Sequence, residues 1–409
     1  LAKAGADLAR RVGNVPGSVA ALVGAIAAGG AAAAPSRLQT EAANSALVLA
    51  YVTGTSPALA QRVAEEPRAL PPLVAVLAAG GAAATPILQA AASECAGVLD
   101  AITGAGPDLV RRVAQEQRAL RTLVATVAAG ATSRARDIQD AVANSARVLA
   151  RMAWAVPELA RRVAEERGGL RALIAALAAG AAAAASPSLQ DAAKNSSRAL
   201  ISIIEASPGF ARRVAEEPGA LPTLVAAVAD ASAAATPSLL AEADDSAKVL
   251  GLITRAHPDF RWRVAEEPGA LPALVAAVAA GGAAASPNLQ DAAASCAVLM
   301  AEMALGCPGF ARRVAEAPGA LPALVAAGAA GTAATTRNLQ AAALSSVALL
   351  AMITDAGPEL ARRRRGGWLR GGCDQHAGKC CTRCGGAGRH RHGQARVCAG
   401  RGRGGRGAG

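Results

Sequence analysis

The sequence is poor in aromatic residues, with one Tyr, three Phe and three Trp among 409 residues. A core with so few rings has to be built from Leu, Val, Ile and Ala. Ala has the highest helix propensity, whereas the aromatic residues that favour strands are nearly absent. The composition therefore predicts an all-α chain.

Charged residues are sparse in several stretches that are long enough to cross a bilayer, such as residues 69–92. Gly80, Gly81 and Pro86 interrupt this stretch. Ala and Gly also contribute much less transfer free energy than Leu, Ile, Phe or Val. We therefore expect no membrane span.

One phrase, close to L-A-R-R-V-A-E-E-P-G-A-L-P-A-L-V, recurs about every 50 residues. Each copy follows a marker proline, at Pro57, Pro107, Pro157, Pro208, Pro258, Pro308 and Pro358. A fixed period of this size indicates supersecondary units that bury their apolar faces only by stacking on their neighbours. The sequence therefore predicts an elongated array.

Three helices are expected in each repeat. A short first helix runs from the marker proline, as in residues 157–166, where we expect Arg161 to pair with Glu165 and Arg162 with Glu166. A second helix follows the Leu-Pro or Leu-Arg step and ends in a loop rich in Ala and Gly. The third helix, of about four turns, has a buried stripe that in the third repeat comprises Ile138, Val142, Ser145 or Ala146, Leu149 and Met152.

This pattern resembles the armadillo family. In the sixth repeat, Gly269–Val275 resembles the opening of the family's second helix and Leu289–Ala293 the start of its third. The resemblance covers residues 1–361, as seven repeats and the start of an eighth. It implies a right-handed α-solenoid, although the period is a few residues longer than the usual range of about 40–47.

The resemblance also implies a function. Armadillo third helices line a concave groove that holds a peptide or protein, without catalysis. Peptide-binding members present a Trp and an Asn in each third helix, and this chain has neither residue at the matching position. Positions are counted from a glutamine near the start of each third helix, which is Gln139 in the third repeat and is replaced by Leu240 in the fifth. The Trp position, five residues later, holds Asn44, Glu94, Asn144, Asn195, Asp245, Ser295 and Ser345. The Asn position holds Val48, Val98, Val148, Ala199, Val249, Leu299 and Leu349. A groove for basic peptides is therefore not expected.

The positions five, eight and twelve residues after this glutamine share one face and vary most among the repeats. Repeats three to five have a basic cluster there, which suits an acidic peptide or helix. The alternative is that this face is unconstrained. The candidate partner-binding residues are Asn144, Arg147, Arg151, Lys194, Asn195, Arg198, Asp245 and Lys248.

The repeats contain no recurring catalytic set, phosphate loop or metal-ligand set, so we expect neither an enzyme nor a cofactor. Cys95 and Cys296 occupy a column that is otherwise Ser, which indicates small packing residues. His257 is alone in its loop. Trp154 and Trp262 replace residues at variable positions that we expect to be exposed.

Residues 362–409 form a different segment, a low-complexity tail rich in Arg, Gly and Cys. It holds thirteen of the 42 basic residues and one of the 30 acidic residues, so the repeats contain 29 of each sign. Three interpretations remain open: a zinc site, an RNA-binding Arg/Gly segment at residues 401–409, and translation in a shifted reading frame, since the repeated phrase breaks off after Arg363. The candidate zinc ligands are Cys373, His376, Cys380, Cys381, Cys384, His390, His392 and Cys398.

The sequence thus predicts a non-enzymatic protein-interaction scaffold, with RNA binding through the tail as the alternative. Because Leu1 lies within a degenerate repeat, we expect the sequence to be part of a longer chain. An intracellular location, in the cytoplasm or nucleus, is the expectation. Repeats at both ends lack a polar capping helix, so we also expect self-association through these ends.

Overall fold

The computed structural model describes residues 2–82, 85–182, 185–234, 237–282, 287–330 and 336–355. Within these ranges the chain forms 21 α-helices and no strand, which confirms the all-α prediction. Residues 356–409 lie outside the described ranges. The start of the eighth repeat, the candidate zinc ligands and the Arg/Gly segment therefore lie outside them too.

The helices follow one another as seven three-helix units. The short first helices are α1 (Ala2–Asn14), α4 (Pro57–Glu65), α7 (Pro107–Gln115), α10 (Pro157–Glu165), α13 (Gly209–Glu216), α16 (Asp259–Glu266) and α19 (Pro308–Glu316). The second helices are α2 (Ser18–Gly29), α5 (Leu70–Ala82), α8 (Ala119–Gly130), α11 (Gly169–Ala181), α14 (Ala220–Ala234), α17 (Ala270–Gly282) and α20 (Ala320–Ala330). The third helices are α3 (Ser36–Thr55), α6 (Pro86–Gly104), α9 (Arg136–Ala155), α12 (Pro187–Ala206), α15 (Pro237–Ala256), α18 (Pro287–Gly306) and α21 (Arg337–Asp355).

The third helices are longer than the sequence predicted. Each has 19 or 20 residues, or about five and a half turns instead of four. The buried stripe marks only the middle of the helix, because the helix continues at both ends through residues that lie outside the stripe. In α9 these are Arg136 and Asp137 at the start and Ala153 to Ala155 at the end.

Packing follows the chain order. Each third helix packs against the third helices of the units before and after it, and the second helices do the same. All element pairs with substantial contact lie within one unit or in neighbouring units of the described chain. One hydrophobic cluster extends from Val19 in α2 to Ile353 in α21. The predicted stripe belongs to it, since Val142, Leu149 and Met152 are buried.

A glycine near the end of the second helix lets this helix approach the third closely. At Gly180 an added Cβ would lie 2.3 Å from the Cβ of Ala193 and 2.5 Å from the carbonyl oxygen of Leu189. Such contacts are shorter than packed atoms allow, so any side chain here would force the two helices apart. Gly80, Gly130 and Gly281 occupy the same position in their units.

The first helices carry a contact between units that the sequence pattern did not reveal. An i,i+4 pair of the expected kind forms in α13, where Arg212 Nε lies 2.7 Å from Glu216 Oε1. Arg162, however, was expected to pair with Glu166. It donates instead from Nη2 to the carbonyl oxygen of Ala114 in the preceding unit, at 3.1 Å.

One helix in the described ranges, α21, is long and apolar enough to cross a membrane. Two bent pairs of helices would also pass this test if each pair were taken as one span. The stretch at residues 69–92 forms two separate elements, α5 and the start of α6. It provides no single long span, in agreement with the expectation from its glycines and prolines.

Candidate functional site

The third helices α9, α12 and α15 lie side by side and form a concave surface, here called the third-helix groove. Its cavity volume is about 690 Å³. Seven of the eight candidate residues from the sequence line it. The eighth, Asn144, lies beside α6, since its Nδ2 would be 3.6 Å from a Cβ added at Gly97.

The side chains of Arg147 and Arg151 converge on one carboxylate of the preceding unit. Arg147 Nη1 lies 3.0 Å from Asp100 Oδ2, and Arg151 Nη1 lies 2.8 Å from Asp100 Oδ1. Arg151 also donates to the backbone oxygen of Asp100. Arg147 Nη2 is 3.7 Å from Asp191 Oδ2 on the following unit, so this arginine links three consecutive units.

Carboxylates also hold the basic side chains of the next two units, but from other directions. Arg198 Nε donates to Asp245 Oδ2 across the α12–α15 boundary, at 3.1 Å. Lys248 Nζ donates to Asp244 Oδ2 at 2.6 Å, and Ser295 of the next unit donates to the other oxygen of this carboxylate at 2.7 Å. Each of these basic side chains is therefore held by a carboxylate. Asp245 was among the candidate residues, whereas Asp100, Asp191 and Asp244 were not.

In two of these pairs the carboxylate lies beneath and the cation lies outermost. The Asp245 side chain is 10% exposed, whereas the side chain of its partner Arg198 is 54% exposed. For Asp244 and Lys248 the values are 12% and 48%. The groove thus presents positive charge to solvent although nearby carboxylates balance much of that charge.

Burial and neighbouring charges together shift the pKa values of Asp245 and Lys248 in α15. Burial raises the pKa of Asp245, and the adjacent Arg198 only partly opposes this shift. Burial lowers the pKa of Lys248, but its hydrogen bond to Asp244 and the surrounding carboxylates outweigh this effect and the net shift is upward. Lys248 therefore stays charged at neutral pH.

Two candidate residues are not on the exposed face on which the sequence analysis placed them. Asn195 is buried, and its Nδ2 donates to the backbone oxygen of Asp191 in its own helix at 2.7 Å. Asp245 is buried beneath Arg198. The prediction of surface positions was wrong for these two residues, because neighbouring third helices pack closely enough to cover Asn195 and Asp245.

Trp154 stands at the end of the groove and is 82% exposed. It lies fifteen residues after Gln139, which places it on the same helix face as Arg147 and Arg151. The sequence analysis predicted its exposure but not its position. The helical spacing of three and four residues along α9 was the signal that could have linked it to the groove. With Ala150 and Ile201, it adds apolar surface beside the cations.

A buried carboxyl group lies on the same helix as Asp245 and Lys248. Glu242 in α15 is fully buried, and neither carboxylate oxygen has a hydrogen-bond partner in the described structure. Burial raises its pKa to about 8, and the nearby Asp230 and Asp245 add to the shift. Five of the other six units have Ala at this position.

The described residues contain no group of three or more His, Cys, Asp or Glu side chains that could hold a metal ion. Cys95 and Cys296 are buried and unbonded to another cysteine. This agrees with the prediction of small packing residues, which was made because the other repeats have Ser at this position. Trp262 is 44% exposed, also as predicted. An apolar surface with Leu8, Val12 and Tyr51 lies at the first unit, where self-association through this end stays a prediction.

No family model matches the chain, and no curated protein matches it.

Proposed function

We propose that the chain is an armadillo-like α-solenoid that acts as a non-enzymatic protein-interaction scaffold, with the third-helix groove as its binding surface. The observation that supports this most strongly is the co-location of outward-facing cations with an exposed tryptophan on three adjacent helices. Tryptophan and arginine are the residues most enriched among energetic hot spots at protein interfaces.

The neighbour-to-neighbour packing of the helices supports the solenoid part of the proposal. Repeat units that contact only their neighbours build an extended surface rather than one enclosed site. The charges support the binding part: Arg147, Arg198 and Lys248 are partly exposed, and each lies over a more deeply buried carboxylate. A partner surface of negative charge would be attracted to this arrangement.

A selection experiment tests the proposal. A library of random peptides would be displayed against the full chain, and binders would be measured by fluorescence anisotropy. Because Trp154 is mostly exposed, Trp154→Ala should leave the fold intact. It should lower the affinity of the selected peptides by about tenfold or more, which is the loss typical of a hot-spot residue.

Trp262→Ala is the matched control. Trp262 is also partly exposed but lies on the first helix α16, outside the residues that line the groove. Its replacement should leave the affinities unchanged. Selected peptides that bind both variants as well as the parent chain would rule out the groove as the binding surface.

A further inference from the structure

Arg261 on the first helix α16 occupies a position that is apolar and buried in every other unit. The other units have Ala9, Ala60, Val110, Ala160, Ala211 and Ala311 at this position, and all six are buried. Arg261 is partly buried, so a guanidinium group stands where the packing of the units otherwise takes a small apolar side chain. A charged group in such a place needs a compensating interaction.

Gly306, the last residue of α18, makes room for this side chain. A Cβ added at Gly306 would clash with Arg261 Nη1 and would lie 2.5 Å from Arg261 Cδ. The equivalent positions of the preceding units hold larger residues, which are Thr55, Ala105, Ala155, Ala206 and Ala256. The chain therefore departs from its repeat at two positions that meet in space, and the guanidinium group lies over the junction of α18 and α19.

The repeat supplies no carboxylate to this guanidinium group. Arg261 Nε is buried and has no hydrogen-bond partner in the described structure. On a helix, arginine pairs with carboxylates three or four residues away. Around Arg261 these positions hold His257, Pro258, Val264 and Ala265. Glu302, one turn before Gly306 on α18, is bound to Arg255 at 2.6 Å.

The surroundings of the guanidinium group would accept an anion. Cys307 is buried, and burial raises the pKa of its thiol while the positive charge of Arg261 opposes that shift. The thiol within electrostatic reach of Arg261 is therefore neutral at neutral pH. The first turn of α19 contains no acidic residue, so no carboxylate of this turn would repel an anion bound to Arg261.

A carboxylate matches a single guanidinium group best. Its two coplanar oxygens accept two parallel N–H bonds from the planar guanidinium fork, and its single negative charge balances one arginine. A phosphate monoester has a charge of about −1.5 to −2 at neutral pH and would need a second cation. The nearest arginine in the sequence, Arg263, is stacked on the ring of Phe260 at 4.8 Å.

We propose that Arg261 binds the carboxylate of a ligand at the junction of α18 and α19, with Gly306 providing the space for the guanidinium group. Arg261 is not among the residues that line the third-helix groove. The inference therefore goes beyond the proposed function and does not depend on it. The carboxylate belongs either to a small organic acid or to an acidic side chain of a partner protein, and the guanidinium group binds both in the same way.

The direct test is a titration of the full chain with sodium acetate, followed by nuclear magnetic resonance of the arginine Nε–H groups. The signal of Arg261 is identified by its loss in Arg261→Ala. It should shift and saturate with a dissociation constant of about 10 mM or below, as expected for one charge-assisted, two-pronged contact. Sodium chloride at the same concentrations should not produce this shift.

Urea denaturation provides a second readout that also applies to the variants. With a dissociation constant of about 10 mM, about 100 mM acetate should lower the unfolding equilibrium constant about tenfold relative to chloride. Residues 362–409 are rich in arginine and also attract anions, but they are the same in every variant. A difference between variants therefore reports on the substituted residue.

Two variants separate binding from a structural role. Arg261→Ala introduces the residue that five other units have at this position. It should lose the stabilisation by acetate, and in chloride it should be at least as stable as the parent chain because no unpartnered charge stays partly buried. Gly306→Ala keeps the charge, but its new Cβ would displace the guanidinium group. It should weaken acetate binding about fivefold or more.

Arg161→Ala is the matched control, since it removes an exposed arginine from the first helix α10 and changes the net charge by the same amount. This variant should keep both the Arg261 signal shift and the stabilisation by acetate. A capped tripeptide with one central Glu distinguishes the two sources of the carboxylate. Tighter binding than acetate would indicate a protein side chain, and equal or weaker binding would indicate a small acid.

Three results would overturn the inference. The first is an Arg261 signal that does not shift with acetate, or a stabilisation by acetate that Arg261→Ala retains. The second is tighter binding of inorganic phosphate than of acetate, which would contradict the assignment of a carboxylate. The third is a loss of stability of Arg261→Ala in chloride, which would mean that the arginine is satisfied within the chain.

Discussion

Replacing Glu242 by Ala should remove a loss of stability at high pH, and the size of that loss can be calculated. Burial raises the pKa of Glu242 from 4.5 to about 8, with the carboxylates of Asp230 and Asp245 adding to the shift. Each pKa unit corresponds to about 1.4 kcal/mol, so the complete effect is about 5 kcal/mol. Ionisation of Glu242 is therefore strongly unfavourable in the folded chain.

The sign follows from proton linkage. The folded chain holds the proton of Glu242 more tightly than the unfolded chain does. The contribution of protonated Glu242 to the unfolding free energy is therefore fully present below a pH of about 4.5. It falls as the pH rises and is lost once the pH has passed through about 8. Between pH 5 and 9 the parent chain should lose about 4 kcal/mol of unfolding free energy that Glu242→Ala does not lose.

The assay is urea denaturation followed by far-ultraviolet circular dichroism at both pH values. Comparing the two pH values cancels any cavity that the smaller side chain leaves, since that cost does not depend on pH. Hydrogen exchange of the α15 amides would localise the effect if the array unfolds in stages. Both measurements should show that the parent chain loses more stability than Glu242→Ala as the pH rises.

Glu41→Ala is the control, because Glu41 occupies the same position in the first unit but is exposed and paired with Arg37 at 3.1 Å. Its replacement should change the pH dependence by less than about 0.5 kcal/mol. If the two variants show the same pH dependence, the assignment of Glu242 as a buried carboxyl with a raised pKa is wrong.

Four further substitutions test the packing and the backbone, each by urea denaturation. Gly180→Ala should lower the unfolding free energy by about 2–3 kcal/mol, because the new Cβ meets Ala193 and the backbone of Leu189; Gly97→Ala, with its nearest contact at 3.6 Å, should be neutral or slightly stabilising. Arg118→Gly should raise it by about 0.5–1 kcal/mol, since Arg118 has a φ of 71° where later units have glycine; an unchanged midpoint would count against strain at this turn. Ser145→Ala should be neutral or stabilising by up to about 1 kcal/mol, because the buried hydroxyl has no partner in the described structure, and a clear loss of stability would mean that the hydroxyl is satisfied.

Much of the fold could be predicted from the repeat. Pro157 opens the first helix α10 as the sequence predicted, and α17 ends at Gly282, within the kind of Ala- and Gly-rich segment that was expected to end the second helices. These signals are local, since proline fixes its own φ and lacks an N–H group that only the helix interior requires. The lengths of the third helices were underestimated, because the stripe that was counted omits the first and last residues of the helix.

The candidate site was predicted less completely. The varying positions led to Arg147, Arg198 and Lys248, which the structure places in one groove. Asp245 was among the candidates, but its pairing with Arg198 was missed, as were the carboxylates of Asp100 and Asp244. Asp100 and Asp245 lie 47 residues from their partners, whereas Asp244 lies one turn from Lys248. Which residues meet across such a distance in the sequence depends on how neighbouring units are offset when they pack.

The sequence by itself thus determined the helices, their order and the period of the array, because helix propensity, apolar spacing and the proline and glycine positions act over a few residues. The tertiary structure decided which charges are paired, which carboxyl group is buried without a partner and which tryptophan is exposed at the groove. Glu41 and Glu242 show the difference most clearly, since they occupy the same position in the repeat and yet one is in solvent and the other in the core. Burial depends on what the neighbouring units place over a side chain, and the residue type alone does not state this.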